Sequence, residues 1–424
     1  MDEYKNGHCG LAPWEKKWLF KISWDNTDLF NYKSEGLFMQ LMNVQLSQSP
    51  IHVREIGRLN SSESNQTLAT LLEKSELNQL VYLIKDTNLK IEDKPIEFFA
   101  CADWPALIYE LGGTQANTRF LDDETCFMCN LKKDEIRYKY IDDTTHIFPI
   151  SKHLTQFPKS TLYSLPLRKR RYCWMHGITC ILSNTCKLLY QLFPDYSRMK
   201  SQFIEVMEEV SYGWTLEHYS LFPSSMKMFF QKNIHEKLAK LFESSQLVAF
   251  QESKFLPSLT NQETVETLLD CIRVFKDFAY RPFPLRTDFK TLDVARNTFL
   301  KIYALNKWRL EVTTHFLLNH GLEFLQEDLS AYHTLQESIE HHNQVVKKHA
   351  ENVFKNGKPN AFGYNRNLNL YQRLRINQMF SFLELPFKHE VVPHWHSCNN
   401  LSYRIISPPK HLIKMELSEW GKKF

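Results

Sequence analysis

Glycine is scarce in this chain, 12 of 424 residues, and with 43% hydrophobic and 13% aromatic residues there is little room for low-complexity sequence. No apolar run of about 18 residues is present that would cross a bilayer as a helix, and no N-terminal stretch resembles a signal peptide. No repeat of fixed period is visible, which argues against a solenoid or a propeller. Neither sign of charge dominates: a net charge of +4 and a pI near 8.4 permit a nucleic-acid partner without demanding one, because such a partner is met by a clustered patch. The nine cysteines are odd in number and irregularly spaced apart from one C-x-x-C. That excludes a simple disulfide framework and points to a reducing compartment, cytosolic or nuclear, where C-x-x-C is a metal or redox signal.

What is present reads first as alternating β and helical patterns. Trp18–Trp24 is a short β-rich run that stops at Asp25-Asn26; Gly36–Gln45 and Ile51–Leu59 follow as further strands. Leucines at 68, 71, 72, 77, 80 and 83 mark one helix over Asn65–Asp86, and Pro95–Cys101 reads as a buried strand. Pro105 then suits the first turn of a helix opening at Trp104. The order β-β-β-α-β-α predicts a sheet in which the first and last of these strands are neighbours, with Asp25 and Asp103 side by side at their ends. From Phe193 to about Leu300 the pattern is helical, broken by prolines at 194, 223, 257, 282 and 284.

The polar spacings between Thr313 and Lys348 are the ones that packing alone does not require. Gln336, Glu340, Asn343 and Lys347 fall at i, i+4, i+7 and i+11, a single polar face on an amphipathic helix. His315 and His320 are five apart, about 140° around an α-helix, and converge only if the helix ends or bends at His320-Gly321.

Three carboxylates, Asp25, Asp103 and Glu340, are the kind of set that holds two Mg²⁺ or Mn²⁺ ions for phosphoryl transfer, since hard cations take oxygen ligands. Each also has a plainer reading: Asp25 as a turn residue, Asp103 as a helix N-cap, Glu340 on a solvated face. Cys126 and Cys129 supply two of the four ligands that a tetrahedral structural zinc needs. The other two come from nearby candidates, His146, His153, Cys173 and His176, or from the distant pair His315 and His320. The nearby choice describes a small zinc-nuclease module; the distant one staples the end of the sheet region to the helical stretch before Glu340.

Taken in order, these motifs resemble the catalytic cores of eukaryotic cut-and-paste DDE transposases. The likeness is to the Transib group, the catalytic subunit of the V(D)J recombinase, and the CACTA/Mirage/Chapaev and hAT-like cores that share a C-x2-C and H-x4-H signature. It runs through FKISWDNTDL with Asp25, FFACADWPALIYELGG with Asp103, CFMC, then His315, His320 and Glu340 about 20 residues on, spanning most of the chain. The resemblance implies an α/β fold, an RNase H-like mixed sheet interrupted by a large helical insertion. Its segments would be 1–130, the sheet with both aspartates; 131–300, linker and insertion; 301–356, the zinc histidines and Glu340; and 357–424, the C-terminal region.

It also implies function: metal-dependent DNA strand cleavage and transfer by a DDE transposase or recombinase core in the nucleus, working as a homodimer or higher assembly on DNA, with no membrane partner. Asp25, Asp103 and Glu340 would bind two Mg²⁺ or Mn²⁺ ions, and Cys126, Cys129, His315 and His320 one structural Zn²⁺. Gln336 and Asn343 would flank Glu340; Lys347 and the basic run Arg168, Lys169, Arg170 and Arg171 would face DNA, with Trp214 a candidate for stacking on a flipped base.

Two departures qualify the likeness. Asn26 stands where many relatives have Gly, and only 17 residues precede the first strand, so the expected leading DNA-binding domain is missing. A domesticated, non-catalytic DNA- or protein-binding derivative and the zinc-nuclease module are the competing readings. His394, His396 and Cys398 are assigned no role.

Overall fold

The structure, a computed structural model, describes residues 17–29, 32–42, 48, 53–59, 61–113, 126–132, 149–215, 221–243, 259–281, 284, 286–325, 330–356 and 406–411. The elements run β1 (Trp18–Leu29), β2 (Tyr32–Leu41), β3 (Val53–Leu59), α1 (Asn65–Lys74), α2 (Leu77–Asp86), β4 (Lys90–Ile91), β5 (Lys94–Ala102), α3 (Trp104–Glu110) and β6 (Arg170–Tyr172). There follow α4 (Trp174–Gln191), α5 (Arg198–Glu208), α6 (Pro223–Gln231), α7 (Ile234–Lys240), α8 (Asn261–Ala279) and α9 (Arg286–Leu305). Then come α10 (Val312–His315), a π-turn (Phe316–Gly321), α11 (Leu322–Leu325) and α12 (Glu337–Asn356). His146, His394, His396 and Cys398 lie outside the described residues.

The chain divides into two units. The first, from 1–118, 152–173 and 333–403, is built on an α/β core: a mixed six-stranded sheet in the order β3-β2-β1-β5-β4, with β6 also pairing with β5. β1, β2 and β3 are antiparallel, and β5 runs parallel to β1 in the register Trp18↔Ile96 to Ile22↔Ala100. β1 is longer than its apolar run predicts. Its ladder with β2 continues to Leu29↔Tyr32, so Asp25 lies within the strand, past the point where β5 stops pairing.

Side chains alternate between the two faces of the sheet. On one face Ile22, Trp24 and Leu37 are buried, and the Trp24 indole donates to the Ala106 carbonyl of α3 at 3.2 Å. On the other face Lys21, Phe38 and Gln40 lie under the stretch that enters α12. Lys21 Nζ donates to Leu335 O at 2.6 Å, Cys101 Sγ to Thr334 O at 3.1 Å, and Gln336 Nε2 to Cys101 O at 3.2 Å. Burial presses the Lys21 ammonium down to about 8.

The helix expected over Asn65–Asp86 is two. Glu76 adopts φ 54°, a left-handed conformation that ends one helix and starts the next without a glycine. Ser64 caps α1 by accepting from Thr67 N at 3.1 Å.

The basic run at 168–171 is not a surface patch. Arg170 and Arg171 are buried in β6, at 0% and 1% exposure, and Lys169 pairs with Glu97. Arg170 grips Glu110 through Nε at 2.6 Å and Nη2 at 3.0 Å. The expectation that all four residues face DNA is corrected accordingly: Arg168 alone is exposed.

The second unit, from 119–151, 174–332 and 404–424, is helical in its described residues. Its aromatic core explains Trp214, which is 1% exposed and packs edge-on against Tyr190 at 5.6 Å and tilted on Phe203 at 5.5 Å. Trp214 is a core residue, not a base-stacking one. Among the described residues no helix is long and apolar enough to cross a membrane.

Glu110 gives a test of the sheet unit. Burial opposes its ionisation, yet the Arg170 guanidinium, Ser160 and Leu162 N hold its carboxyl below the ordinary range. Because the folded value is depressed, its stabilisation is complete above the ordinary carboxylate pKa of about 4.3 and is lost as pH falls through the folded value. Glu110→Gln leaves Arg170 as an uncompensated buried charge and should cost about 3–5 kcal/mol in urea unfolding at neutral pH, with a correspondingly smaller loss of stability on acidification.

Candidate metal centre and acidic site

In the helical unit, Cys126, Cys129, His315 and His320 form a fully buried group whose ligand atoms all lie within 4.8 Å of one another. It can hold a metal ion. Cys126 and Cys129 sit on one turn, where Met128 N points at Cys126 Sγ at 3.4 Å and Ser151 N anchors Met128 O at 2.9 Å. Cys129 Sγ is 3.5 Å from His315 Nε2.

The two histidines meet without the helix ending or bending. Between them the backbone adopts a π-turn over Phe316–Gly321, in which the i→i+5 repeat sets residues five apart one above the other. Their rings are 5.1 Å apart, nearly perpendicular. Arg296 of α9 secures the turn by donating from Nε to Leu318 O at 2.6 Å, and Phe316 packs on Phe127 at 4.9 Å.

The polar surroundings orient His320. Its Nδ1 lies 3.2 Å from Asn319 Nδ2 and 3.6 Å from Glu323 Oε2, while Nε2 is buried with no hydrogen bond. Burial pushes the Cys126 thiol up, but Cys129, His320 and His315 outweigh it and hold the thiol well below its usual range. Burial lowers both imidazoles; at His320 the attraction of Cys126 and Glu323 prevails and lifts it to about 9, whereas His315 stays lowered. His153, a nearby candidate ligand by sequence, is exposed beside a short 3₁₀ turn at Leu154–Gln156.

The acidic site belongs to the sheet unit. The β1–β5 ladder pairs as far as Ile22↔Ala100, and Asp25 and Asp103 each lie three residues beyond that last pair. Asp103 is also the N-cap of α3, accepting from Ala106 N at 2.9 Å, so the plainer reading holds together with the strand-end placement. α12 packs on β1 and β3, and its Asn343 donates to Asp25 Oδ2 at 2.5 Å. Glu340, half-buried, lies one turn earlier on the same helix; Asn343 is 4% exposed and Lys347 is exposed. The Gln336 side chain is hydrogen-bonded to β5, as described above, and its carbonyl accepts from Glu340 N at 2.9 Å. Among the described residues, Asp25, Asp103 and Glu340 do not form a group as tight as the Cys/His one.

Two further carboxylates escaped the sequence reading. Glu35, 1% exposed, accepts from Asn26 Nδ2 at 3.2 Å with its other oxygen buried and unpartnered. Burial, with Asp103 adding to it, raises Glu35 to about 7. Glu63 precedes the α1 cap; burial and then Asp103, Glu35 and Asp25 raise it to about 9. Four acidic groups thus crowd the end of β1 and β5. Only the strand register reveals Glu35, and nothing in the local sequence marks Glu63.

No protein-family model matches the chain, and no curated protein matches it. The Cys/His group is testable without them. The purified protein should carry one metal ion per chain by elemental analysis, and Cys126→Ser or His320→Ala should each remove it, whereas His153→Ala should not.

Proposed function

We propose that this chain is an RNase H-like DDE transposase or recombinase core that cuts and joins DNA strands in the nucleus with divalent metal ions. One observation carries the reading: the parallel β1–β5 ladder leads to Asp25 and Asp103 at the same end of the sheet, and Asn343, on the helix that bears Glu340, is hydrogen-bonded to Asp25. The sheet order of three antiparallel strands followed by a parallel one agrees with the fold that the sequence resemblance implies.

The donor sets suit two different metals. Two thiols and two imidazoles, with a buried His320 Nε2 that lacks a partner, fit a tetrahedral structural Zn²⁺. The oxygen-only set of Asp25, Asp103 and Glu340 fits Mg²⁺ or Mn²⁺; burial first, and then the negative charge of Asp103, Glu35 and Asp25, lifts the neighbouring Glu63 to about 9. When bound, a pair of divalent ions supplies Lewis-acid stabilisation of the attacking and leaving oxygens of a phosphodiester.

The chain's own part is to hold and orient. Asp25 and Asp103 are fixed by the strand ladder and by the α3 cap, and Glu340 by the packing of α12 on β1. Arg168 and Lys347, both exposed, are the basic groups from the sequence reading that remain able to meet a phosphate backbone. A homodimer or higher assembly on paired DNA ends belongs to the same proposal.

Full-length protein with duplex DNA should nick or join strands in Mg²⁺ or Mn²⁺ and not in EDTA. Asp25→Asn, Asp103→Asn and Glu340→Gln should each reduce the rate on the order of 10³-fold, about 4 kcal/mol of transition-state stabilisation, with the fold intact by circular dichroism. Full activity of Glu340→Gln, or DNA binding with no metal-dependent cleavage in the wild type, would overturn the assignment.

A further inference from the structure

Across β3, β2 and β1 the register sets Arg58 opposite Gly36, and Gly36 opposite Asp25. The middle residue has no side chain, and the space is taken by the Arg58 guanidinium. A Cβ added at Gly36 would meet the Phe38 ring at 2.6 Å and Arg58 Nη2 at 2.8 Å, so even alanine is excluded unless both side chains move. The gap lets an arginine rooted on β3 reach over β2 towards the acidic site.

What it reaches is Asn343. Arg58 Nη2 donates to Asn343 Oδ1 at 2.9 Å, and Asn343 Nδ2 donates to Asp25 Oδ2 at 2.5 Å. A guanidinium can only donate, so it fixes which end of the amide faces it and leaves the NH₂ end for Asp25. Arg58 is itself held on both sides by Glu55, at 3.0 Å from Nε to Oε1 and 3.0 Å from Nη2 to Oε2. Glu55 Oε2 lies 2.9 Å from His342 Nε2, on the residue next to Asn343. The side chains of Arg58 and Glu55 are 6% and 5% exposed.

We infer that Gly36, Arg58 and Asn343 form a positioning relay that sets the carboxylate of Asp25 to receive a divalent cation. The inference rests on the reading of the acidic site as a cation site and adds residues to it. The charge arithmetic explains the choice of groups. Arg58 is matched by Glu55, so its positive charge is answered before it reaches the site, and what arrives at Asp25 is a neutral amide. Asp25 is thereby oriented without being neutralised, and it keeps the charge that a cation needs. The relay also ties Asp25 to α12, the helix that carries Glu340.

The test is Mn²⁺ binding to the full chain in the absence of DNA, followed by the loss of the free-ion electron paramagnetic resonance signal. Asp25→Asn serves as the reference variant. Asn343→Leu, and Gly36→Ala, which displaces Arg58 together with the Phe38 ring and removes no polar group, should each weaken Mn²⁺ binding about 10–100-fold. Strand cleavage by Asn343→Leu should return to the wild-type plateau at correspondingly higher Mn²⁺, whereas a merely structural defect lowers the plateau and leaves the Mn²⁺ midpoint in place. Where Asn343→Leu does not fold, Asn343→Ser is read instead. Wild-type Mn²⁺ midpoints in the Asn343 and Gly36 variants, alongside a weakened Asp25→Asn, overturn the relay alone. A midpoint unmoved by Asp25→Asn overturns the cation site and the relay with it.

Discussion

The parallel pairing of β1 with β5 is the constraint on which the sheet unit depends. Two strands that run side by side in one direction bring to the same end residues that lie 78 positions apart in sequence, Asp25 and Asp103. Everything else around that end is arranged with respect to it. α3 starts at Asp103, α12 bonds to Asp25, and Glu35 and Glu63 crowd in to the point where burial and mutual repulsion favour their protonated forms. So dense a negative site disfavours the charged forms of its own carboxyl groups.

Among the described residues, several buried or paired cations are engaged elsewhere. Arg170 lies 0% exposed against Glu110, Lys169 pairs with Glu97, and Lys21 is buried beneath the strap that leads into α12. A run of four basic residues reads in sequence as a surface. In the fold its last two residues enter a strand, and the partner of Arg170, Glu110, is 60 residues away, a pairing visible only in three dimensions. This is the sense in which composition is a poor guide to electrostatic surface.

Much of the sheet was nonetheless legible. Alternation and β-branched or aromatic runs marked β1, β2, β3 and β5; C-x-x-C marked two residues of the Cys/His group, and the family resemblance, where spacing left several candidates, pointed to His315 and His320 as the other two. What was hidden has physical reasons. β4 is two residues long, too short for any periodicity. The break at Glu76 uses a left-handed glutamate in place of glycine, so no local signal announces it. The extent of β1 beyond Asp25 is set by the ladder with β2, and the polar sequence Asp25-Asn26 hides it. The meeting of His315 and His320 depends on a backbone state that α-helical geometry does not anticipate, and Arg296 supports it from 22 residues before the carbonyl it binds.

That π-turn has a further consequence. A π-turn is, in effect, one residue more than an α-helix needs to cover the same rise. Deleting a single residue between the two histidines would give an H-x3-H spacing, which an ordinary α-helix already brings to one face. The pair itself would therefore survive the loss, and the side chains after it would keep their phase; in an unbroken α-helix of the present sequence they would instead be turned by about 100° about the axis. Phe324 and Leu325, both buried, would leave the core. The extra residue thus serves as a phase adjuster: it lets one helical stretch present ligands at its start and a hydrophobic face at its end, two demands that a regular helix of this sequence could not meet together.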